Sequence, residues 1–586
     1  MPTESISPAE SVSSERSSRT NSTNCVDSNS AKDSACDSLN SLLADKVNKT
    51  CINSCLEECF DAQYSLGDRY SVSYGNNSKN VPQKRGSFCC NPVSRTIWGV
   101  ILILMSISGF IFSPLDFMLW EKLKMRPGLP PYEWWADPPD EVKMRVHIFN
   151  VTNHDRFLQG LDAKLNLEDI GPIVYLEKLQ HYNINFNDND TLSYTAKRSL
   201  IYLPDENTID LNETIVAPNL AVLGMASYLH DTNYFVRTGF RLLVNSHGSE
   251  FFVKKSLYEF LWDYRDPVLA TSKNIVPGIV PVDNLGFLVR VYNDFIDEVT
   301  VKIGTKWGHR NFFHIDRFHG EPQLPGFDPD KCPDRIFGST EGVMYHQYIS
   351  KEDVLLYWRK TVCKLMPLYF ESEMVMNDVP VYRYNLSEVV YERVRNGTDC
   401  YDTLPTLPAG LSDASKCYYN FPIVISYPHF YTGSPPKDHY VTGLMPDRQK
   451  HNSYVVVEPT TGVPFRAVAR MQSNLRIHDL SLFPKEYNRF SNQVIPLFWA
   501  EYSQEGLPSV IKWTIYFMVV VTPVMSIVIF ILTLLLGCYL IIAQMYDDKI
   551  IRKFIPCIMR FKNKNKSNAN NKIFMYEKES ILKLPS

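Results

Sequence analysis

Ile97-Trp-Gly-Val-Ile-Leu-Ile-Leu-Met-Ser-Ile-Ser-Gly-Phe-Ile-Phe112 is the first of two long apolar stretches in this chain of 586 residues. The second runs from Trp513 to Ala543, and no third such stretch lies between them. A helix that crosses a membrane needs about 20 apolar residues, because it rises about 1.5 Å per residue through about 30 Å of hydrocarbon. The two stretches therefore predict transmembrane helices at 95–118 and 513–543, which anchor both ends of a loop at 119–512.

The position and the flanks of the two spans predict the topology. The first span follows a long polar segment, which indicates an uncleaved signal anchor and not a cleaved signal peptide. Lys and Arg are retained on the cytoplasmic side, and only Lys512 closely precedes the second span. A basic group follows that span: Lys549, Arg552, Lys553, Arg560 and Lys562. We therefore expect both termini in the cytoplasm, although a buried core helix is the alternative reading of either stretch.

The two tails differ from the loop in composition. Residues 1–94 are rich in Ser, Asn, Asp and Glu and poor in large apolar side chains, which predicts a disordered tail. Cys89 and Cys90 lie just before the first span, where thiols are often acylated, and they are candidate palmitoylation sites. Residues 544–586 form a basic C-terminal tail.

The loop carries the marks of a compartment outside the cytoplasm. It contains an even number of cysteines, which suits a small disulfide set: Cys332, Cys363, Cys400 and Cys417. It also contains N-glycosylation triplets, although such triplets often arise by chance: Asn150, Asn189, Asn212, Asn385 and Asn396. We expect a multi-pass protein of the plasma membrane, with an endosomal or lysosomal membrane as the alternative.

Residue patterns predict an α+β loop that is rich in strands. A hairpin is predicted where residues 453–458 meet residues 463–471 across a Pro-Thr-Thr-Gly turn, and shorter strands at 378–384 and 422–426. Ser256 and Glu259 have the spacing of a capping box and predict the start of a helix. Further helices are predicted at 219–229 and from Ser350 towards Pro367.

Motifs that would carry catalysis are missing from the sequence. It contains no Gly-x-Ser-x-Gly elbow, no His-Glu-x-x-His helix and no phosphate-binding Gly-x-x-x-x-Gly-Lys loop. Cys51, Cys55 and Cys59 stop at three ligands, one short of a structural zinc site. A net charge of −4 gives no reason to expect nucleic acid. We therefore expect a protein that binds a ligand without transforming it, and that needs no metal or cofactor.

Local phrases of the loop resemble the class B scavenger receptor family. Residues 257–267, Leu-Tyr-Glu-Phe-Leu-Trp-Asp-Tyr-Arg-Asp-Pro, are similar to the family's Leu-Trp-Gly-Tyr-x-Asp-Pro signature, and Pro380-Val-Tyr-Arg-Tyr384 matches a family strand. Further matching phrases are Leu407-Pro-Ala-Gly410, Pro422-Ile-Val-Ile-Ser-Tyr-Pro-His-Phe430, Gly443-Leu-Met-Pro446, Glu458-Pro-Thr-Thr-Gly462 and Arg470-Met-Gln-Ser-Asn474. The resemblance extends from the first span to the second. The family includes fatty acid translocase, lysosomal integral membrane protein and the sensory neuron membrane proteins, and we expect an insect-like member.

The resemblance implies a fold and a function. The family fold is an antiparallel β-barrel core with an apical helical bundle and a hydrophobic tunnel that leads to the bilayer. It implies a receptor that binds lipid, lipoprotein or a lipid-bearing particle at the apex and passes lipid to the membrane. An adhesion or phagocytic receptor without lipid conduction is the alternative, and a two-span ligand-gated channel is a more remote one.

The resemblance also implies roles for particular residues. It pairs Cys332 with Cys400 and Cys363 with Cys417. The two apical lysines of the fatty acid translocase are replaced here by Ser246 and Gly248, so that a nearby lysine pair is the candidate contact for a lipid head group. The predicted ligand entrance comprises this pair and the apolar face of the neighbouring helix: Lys254, Lys255, Leu257, Phe260 and Leu261.

Overall fold

The computed structural model describes residues 92–293, 296–324, 336–391, 407–432 and 441–547. The chain divides into two units, Met1–Ile97 and Trp98–Ser586. The first unit contributes only the start of one helix to the described residues. The predictions for the N-terminal tail and for Cys89 and Cys90 therefore lie outside them, as does most of the C-terminal tail.

The second unit is dominated by strands. In chain order they are β1 Val142–Val151, β2 Leu165–Asn187, β3 Thr191–Tyr202, β4 Thr214–Pro218, β5 Phe252–Ser256, β6 Asp297–Lys302, β7 Ile315–Phe318, β8 Ser339–Thr340, β9 Leu355–Arg359, β10 Lys364–Met376, β11 Val379–Leu386, β12 Ser412–Asp413, β13 Ile423–Ser426, β14 Val441–Thr442, β15 Tyr454–Glu458, β16 Val463–Arg476 and β17 Val494–Gln504.

One large sheet contains all of these strands except β4 and β5, which pair with each other. Its order is β7-β6-β3-β2-β1-β17-β16-β15-β11-β10-β9-β8, and its pairs are antiparallel apart from β8 with β9 and β14 with β2. The first and last strands of this order lie near each other: the ring centroids of Phe318 on β7 and Trp358 on β9, which pairs with β8, are 5.8 Å apart. The sheet is therefore nearly closed, and the fold is mixed α and β.

Helices lie before, between and after the strands. They are α1 Pro92–Ile111, α2 Pro114–Leu123, α3 Pro130–Ala136, α4 His154–Gln159, α5 Met225–Tyr228, α6 Tyr234–Ser246, α7 Leu257–Leu261, α8 Pro267–Ile275, α9 Phe287–Asn293, α10 Gly304–Trp307, α11 Arg448–His451, α12 Lys485–Asn488, α13 Ser509–Tyr516 and α14 Thr522–Asp547. Short π-helical turns span Leu220–Gly224 and Phe517–Val521. Short 3₁₀ helices span Pro204–Glu206, His309–Asn311, Ser415–Cys417 and Pro428–Phe430. The expected apical bundle of helices stays a prediction.

Two helical segments, Ser94–Ile111 and Ser509–Met545, are long and apolar enough to cross a membrane. The two helices pack closely at Gly109, which has no side chain to keep them apart. A Cβ added at Gly109 would lie 2.3 Å from the ring of Phe530. Beside it, the hydroxyl of Ser106 donates a hydrogen bond of 2.7 Å to the carbonyl oxygen of Phe530. Small residues permit this close approach of helices in a membrane.

Local signals of the sequence account for several elements. The hairpin forms between β15 and β16, with Tyr454 opposite Val468. The capping box is present: the hydroxyl of Ser256 accepts a hydrogen bond from the backbone N–H of Glu259, and the Glu259 carboxylate accepts one from the Ser256 N–H. Helical structure also follows Asn219, whose side chain accepts hydrogen bonds from Ala221 and Val222. These predictions are confirmed.

The helix predicted after Ser350 is wrong. The Asp353 carboxylate does accept a hydrogen bond of 2.7 Å from the backbone N–H of Ser350, as a helix cap would. The chain then enters strand β9, which pairs with β10 through Leu355 opposite Leu368 and Arg359 opposite Lys364. Pairing with a neighbouring strand overrides a local capping signal, since most helical stability in proteins comes from tertiary packing.

Candidate functional site

A large cavity lies inside the nearly closed sheet. Its volume is about 830 Å³, which falls in the range of about 300–1,000 Å³ typical of ligand sites. Apolar side chains of the sheet line one part of it, including Met366, Leu368 and Met471. The lining continues onto the segments that join the sheet to the membrane spans, namely α2, through Phe117 and Met118, and the start of the second span, through Ile511, Ile515 and Met518. The cavity thus connects the interior of the sheet with the ends of the two spans.

A small cavity of about 90 Å³ adjoins the large one. Thr361, Met471 and Tyr502 line both cavities. The small cavity extends from them to the helical part of the loop, where Leu220 and Met225 line it. We call the three shared residues the junction.

A buried charge cluster stands beside the junction. The Glu177 carboxylate on β2 lies 2.8 Å from the Arg359 guanidinium on β9 and 3.7 Å from that of Arg198 on β3. Tyr292 donates a hydrogen bond of 2.5 Å to the same carboxylate. Burial by itself would raise the pKa of Glu177, but Arg359 and Arg198 outweigh burial and hold that pKa below its usual value.

Two further carboxylates belong to this charge cluster. Arg198 lies 3.5 Å from Asp297 and 3.5 Å from Glu341, and the Tyr194 hydroxyl donates a hydrogen bond of 2.6 Å to Glu341. The cluster therefore contains three carboxylates, at Glu177, Asp297 and Glu341, against two guanidiniums.

A buried amine also lines the large cavity. Lys122 of α2 is only 6% exposed, and its Nζ donates a hydrogen bond of 2.5 Å to the carbonyl oxygen of Thr461. Burial lowers the pKa of Lys122 to about 8, while the Glu458 carboxylate opposes the shift. At pH 7 the amine is predominantly charged, so the cavity carries a cation close to the first span.

The turn that holds Lys122 explains one phrase of the sequence. Within Glu458-Pro-Thr-Thr-Gly462, the Glu458 carboxylate accepts hydrogen bonds from the backbone N–H groups of Thr460 and Thr461, at 2.8 Å and 2.6 Å. Gly462 has φ +74°, and an added Cβ would lie 2.3 Å from the carbonyl oxygen of His346. Glycine is required there because any side chain would collide with that backbone.

A second polar cluster explains the histidine in the family phrase at 422–430. The Asp169 carboxylate accepts hydrogen bonds from Trp499 and His429, each at 3.0 Å, and pairs with His147 at 3.0 Å. The His451 ring stacks on that of His429, with centroids 4.6 Å apart. Burial is the main reason that the pKa of His451 falls to about 4, and the neighbouring His429 adds to the shift.

The predicted entrance residues are divided between surface and core. Leu257, Phe260 and Leu261 are fully buried at 0% exposure, whereas Lys254 is exposed. The Lys255 ammonium donates a hydrogen bond of 3.1 Å to the carbonyl oxygen of Arg265. The structure thus brings the lysines to a surface and places the three apolar residues beneath it. Their role as an entrance stays a prediction.

The predicted disulfides and glycosylation sites are only partly described. A disulfide joins Cys363 to Cys417, the pair that the resemblance implies. Cys332, Cys400 and Asn396 lie outside the described residues. Of the remaining sequons, Asn189 and Asn212 are exposed in turns, whereas Asn150 and Asn385 are half-buried in strands. Glycosylation itself stays a prediction.

Sequence reasoning missed the residues that line the large cavity and form the charge cluster. A signal for two of them exists in the alternation of the strands. Tyr175 and Glu177 share the inward face of β2, and Ala196 and Arg198 share a face of β3. A charged residue two positions from a buried residue in a strand lies on the same, inward face, and a charge there indicates an internal ion pair. Arg359 has no such signal, because the capping pattern at Ser350 and Asp353 predicts a helix over its segment.

Comparisons with known proteins agree with this architecture. The sequence model of the CD36 family matches residues 97–547. Scavenger receptor class B member 1 from Rattus norvegicus is 27% identical over 69% of this chain and 78% of its own length, and its counterpart from Cricetulus griseus is 25% identical over 83% and 94%. Lysosome membrane protein 2 from Homo sapiens is 26% identical over 67% of this chain and 82% of its own length. Because the family match includes both apolar spans and the whole loop between them, this chain belongs to the CD36 family.

Proposed function

We propose that this protein is a membrane receptor that binds a lipid, lipoprotein or lipid-bearing particle through its loop and passes lipid through the large cavity to the membrane. The observation that carries the proposal is the lining of that cavity. It begins among apolar side chains of the sheet and ends on Phe117, Met118 and Met518, which adjoin the two spans. A lipid in this cavity would reach the hydrocarbon layer without crossing water.

The energetics favour a ligand with a long apolar chain. Each buried methylene contributes about 0.8 kcal/mol, so that about ten of them contribute about 8 kcal/mol. That gross value corresponds to a dissociation constant of about 1 μM, before the entropic cost of association is subtracted. A ligand of this kind needs no catalytic group, in keeping with the expectation of a receptor and not an enzyme.

The names of the relatives support the class of function. Two of them are called scavenger receptors and one a lysosome membrane protein. By analogy we place this chain in the plasma membrane, with the lysosomal membrane as the alternative. We retain the helical segments between β3 and β6 as the place where the ligand enters.

A plug inside the large cavity tests the proposal. Ala469 lines this cavity and lies opposite Tyr502 in the register of β16 and β17. An Ala469→Trp substitution should abolish uptake of fluorescent lipids, free or lipoprotein-borne, by cells that express the protein at unchanged surface density. Ala163→Trp is the matched control, because Ala163 is exposed and lines neither cavity. Particle binding without lipid transfer, unaffected by Ala469→Trp, would instead identify an adhesion or phagocytic receptor.

A further inference from the structure

The packing of the two spans locates the edge of the hydrocarbon layer on the loop side. An apolar helix needs about 20 residues to cross that layer, and counting back from the end of the stretch 513–543 reaches Thr522. The spans run antiparallel, and Gly109 packs against Phe530. Phe117 and Thr522 each lie eight residues from that contact, and α2 and α14 touch there. The head-group layer therefore begins close to Phe117, which is 66% exposed.

Aromatic side chains follow directly outside this edge. Trp120 lies three residues beyond Phe117, about 4.5 Å along the helix. The Trp120 ring centroid is 4.6 Å from that of His309, which in turn is 5.1 Å from that of Tyr348. Trp120 and Tyr348 are 40% and 38% exposed. Because tryptophan and tyrosine are enriched where a membrane meets water, this surface lies at the level of the lipid head groups.

A polar cavity of about 350 Å³ lies beside the aromatic surface. Arg310, the residue after the stacked histidine, lines it together with His314, His346 and Asp353. The volume falls in the range of about 300–1,000 Å³ typical of ligand sites. This cavity is separate from the large one inside the sheet, although Tyr345 contributes to the walls of both.

One cation and one anion stand side by side in the polar cavity. The Arg310 guanidinium pairs with the Asp353 carboxylate, and the side chains are 58% and 20% exposed. Ser350 donates a backbone hydrogen bond of 2.7 Å to the same carboxylate. The remaining N–H groups of Arg310 hydrogen-bond to no described residue. A ligand that itself carries one negative and one positive group would match this pair.

Two imidazole rings complete the polar lining. The centroids of His314 and His346 are 5.4 Å apart, and His346 Nε2 lies 3.4 Å from the Asp353 carboxylate. Burial lowers the pKa of His314 to about 4, and His346 and Lys302 add to the shift, so the ring is neutral at pH 7. The His314 ring nitrogens hydrogen-bond to no described residue and are not sealed from solvent. They therefore offer a ligand one donor and one acceptor.

We propose that this cavity binds the phosphoethanolamine head group of a phospholipid in the leaflet on the loop side. Arg310 binds the phosphate, since a guanidinium can donate two parallel hydrogen bonds to phosphate oxygens. Asp353 and the acceptor nitrogen of His314 accept hydrogen bonds from the ammonium group. A choline head group has no N–H to donate and makes neither of these bonds. The lipid stands outside the sheet, so the inference is independent of what the large cavity carries.

Chain-matched phospholipids test the site on the purified full-length protein in maltoside micelles, which contain no phosphate. Native mass spectrometry gives the dissociation constants of dioleoyl phosphatidylethanolamine and dioleoyl phosphatidylcholine. We expect the ethanolamine lipid to bind about tenfold more tightly, since one hydrogen bond to a charged group corresponds to about that factor. Asp353→Asn should remove this preference, while its side-chain oxygen can still accept the hydrogen bond from Ser350. Arg310→Gln should weaken both lipids about tenfold.

A matched control and a second competition separate the outcomes. Arg317→Gln makes the same change on β7 at a side chain 55% exposed that lines neither the polar nor the large cavity, and should leave both constants unchanged. Glycerophosphoethanolamine should displace the bound lipid more readily than inorganic phosphate does. Equal displacement by the two would identify a site for free phosphate and overturn the lipid assignment. Equal affinity for the two phospholipids, or a preference that survives Asp353→Asn, would overturn the head-group site.

Discussion

Glu177→Gln tests whether the buried charge cluster holds the sheet together. Glutamine has nearly the shape of glutamate and can still accept the hydrogen bond from Tyr292, so that the substitution removes mainly the charge. The Glu177 and Arg359 side chains are 6% and 12% exposed, so the pair lies in a largely buried site. Among the described residues Glu177 is the only carboxylate within 4 Å of the Arg359 guanidinium, whereas Arg198 retains Asp297 and Glu341.

The expected loss follows from leaving one guanidinium buried without a carboxylate. Breaking a buried pair in this way costs about 3–5 kcal/mol. Unfolding entropy of about 2.1 cal/mol/K per residue over a loop of about 400 residues gives about 1.2 °C per kcal/mol. Glu177→Gln should therefore lower the unfolding midpoint of the full-length protein by about 4–6 °C. Thermal unfolding followed by tryptophan fluorescence measures the shift.

An exposed ion pair supplies the control for this measurement. Glu206 lies 2.6 Å from the Lys143 ammonium, with side chains 40% and 30% exposed, and such pairs contribute at most about 1 kcal/mol. Glu206→Gln should lower the midpoint by about 1 °C or less. Adding Arg359→Met to Glu177→Gln should recover part of the loss, because the uncompensated cation is removed. A Glu177→Gln midpoint within about 1 °C of the wild type would refute the reasoning.

Three further predictions follow from other parts of the structure. The pKa of His451 is lowered from 6.5 to about 4, so the contribution of the neutral ring to stability is complete above pH 6.5. It is lost as the pH falls towards 4, at up to about 1.4 kcal/mol per pH unit. The unfolding midpoint should therefore change less with pH over this window in His451→Gln than in the wild type, and an unchanged slope would contradict the assignment. Gly109→Leu should separate the membrane helices and lower surface expression, because a Cβ would lie 2.3 Å from the Phe530 ring, whereas Gly278→Leu meets open space and should leave expression as it is. Replacing both Cys363 and Cys417 by Ser should destabilise the protein by about 2–4 kcal/mol in chemical unfolding; peptide mapping without reductant should find these two cysteines linked, and any other partner would overturn the pairing.

Local patterns in the sequence predicted features that depend on near neighbours along the chain. The capping box at Ser256 needs only Glu259, and the hairpin at 454–476 needs only alternation on both sides of a turn. The two membrane spans follow from length and composition alone. The phrases around Glu458 and His429 were recognisable as family features, but their physical reasons, a capped turn and an Asp169-centred cluster, required side chains from distant strands.

Tertiary structure alone decided the path of the segment after Ser350 and the composition of the cavities. Arg359 lies opposite Glu177 only because β9 closes towards β2 and β3, which are separated from it by more than 150 residues in sequence. Thr361 and Tyr502 likewise meet at the junction from different strands and connections. The sequence by itself determined the two candidate membrane spans, the family and the local elements, since each depends on contiguous residues. The cavities, the charge cluster and the junction depend on which strands become neighbours, and that choice is made by the closure of the whole sheet.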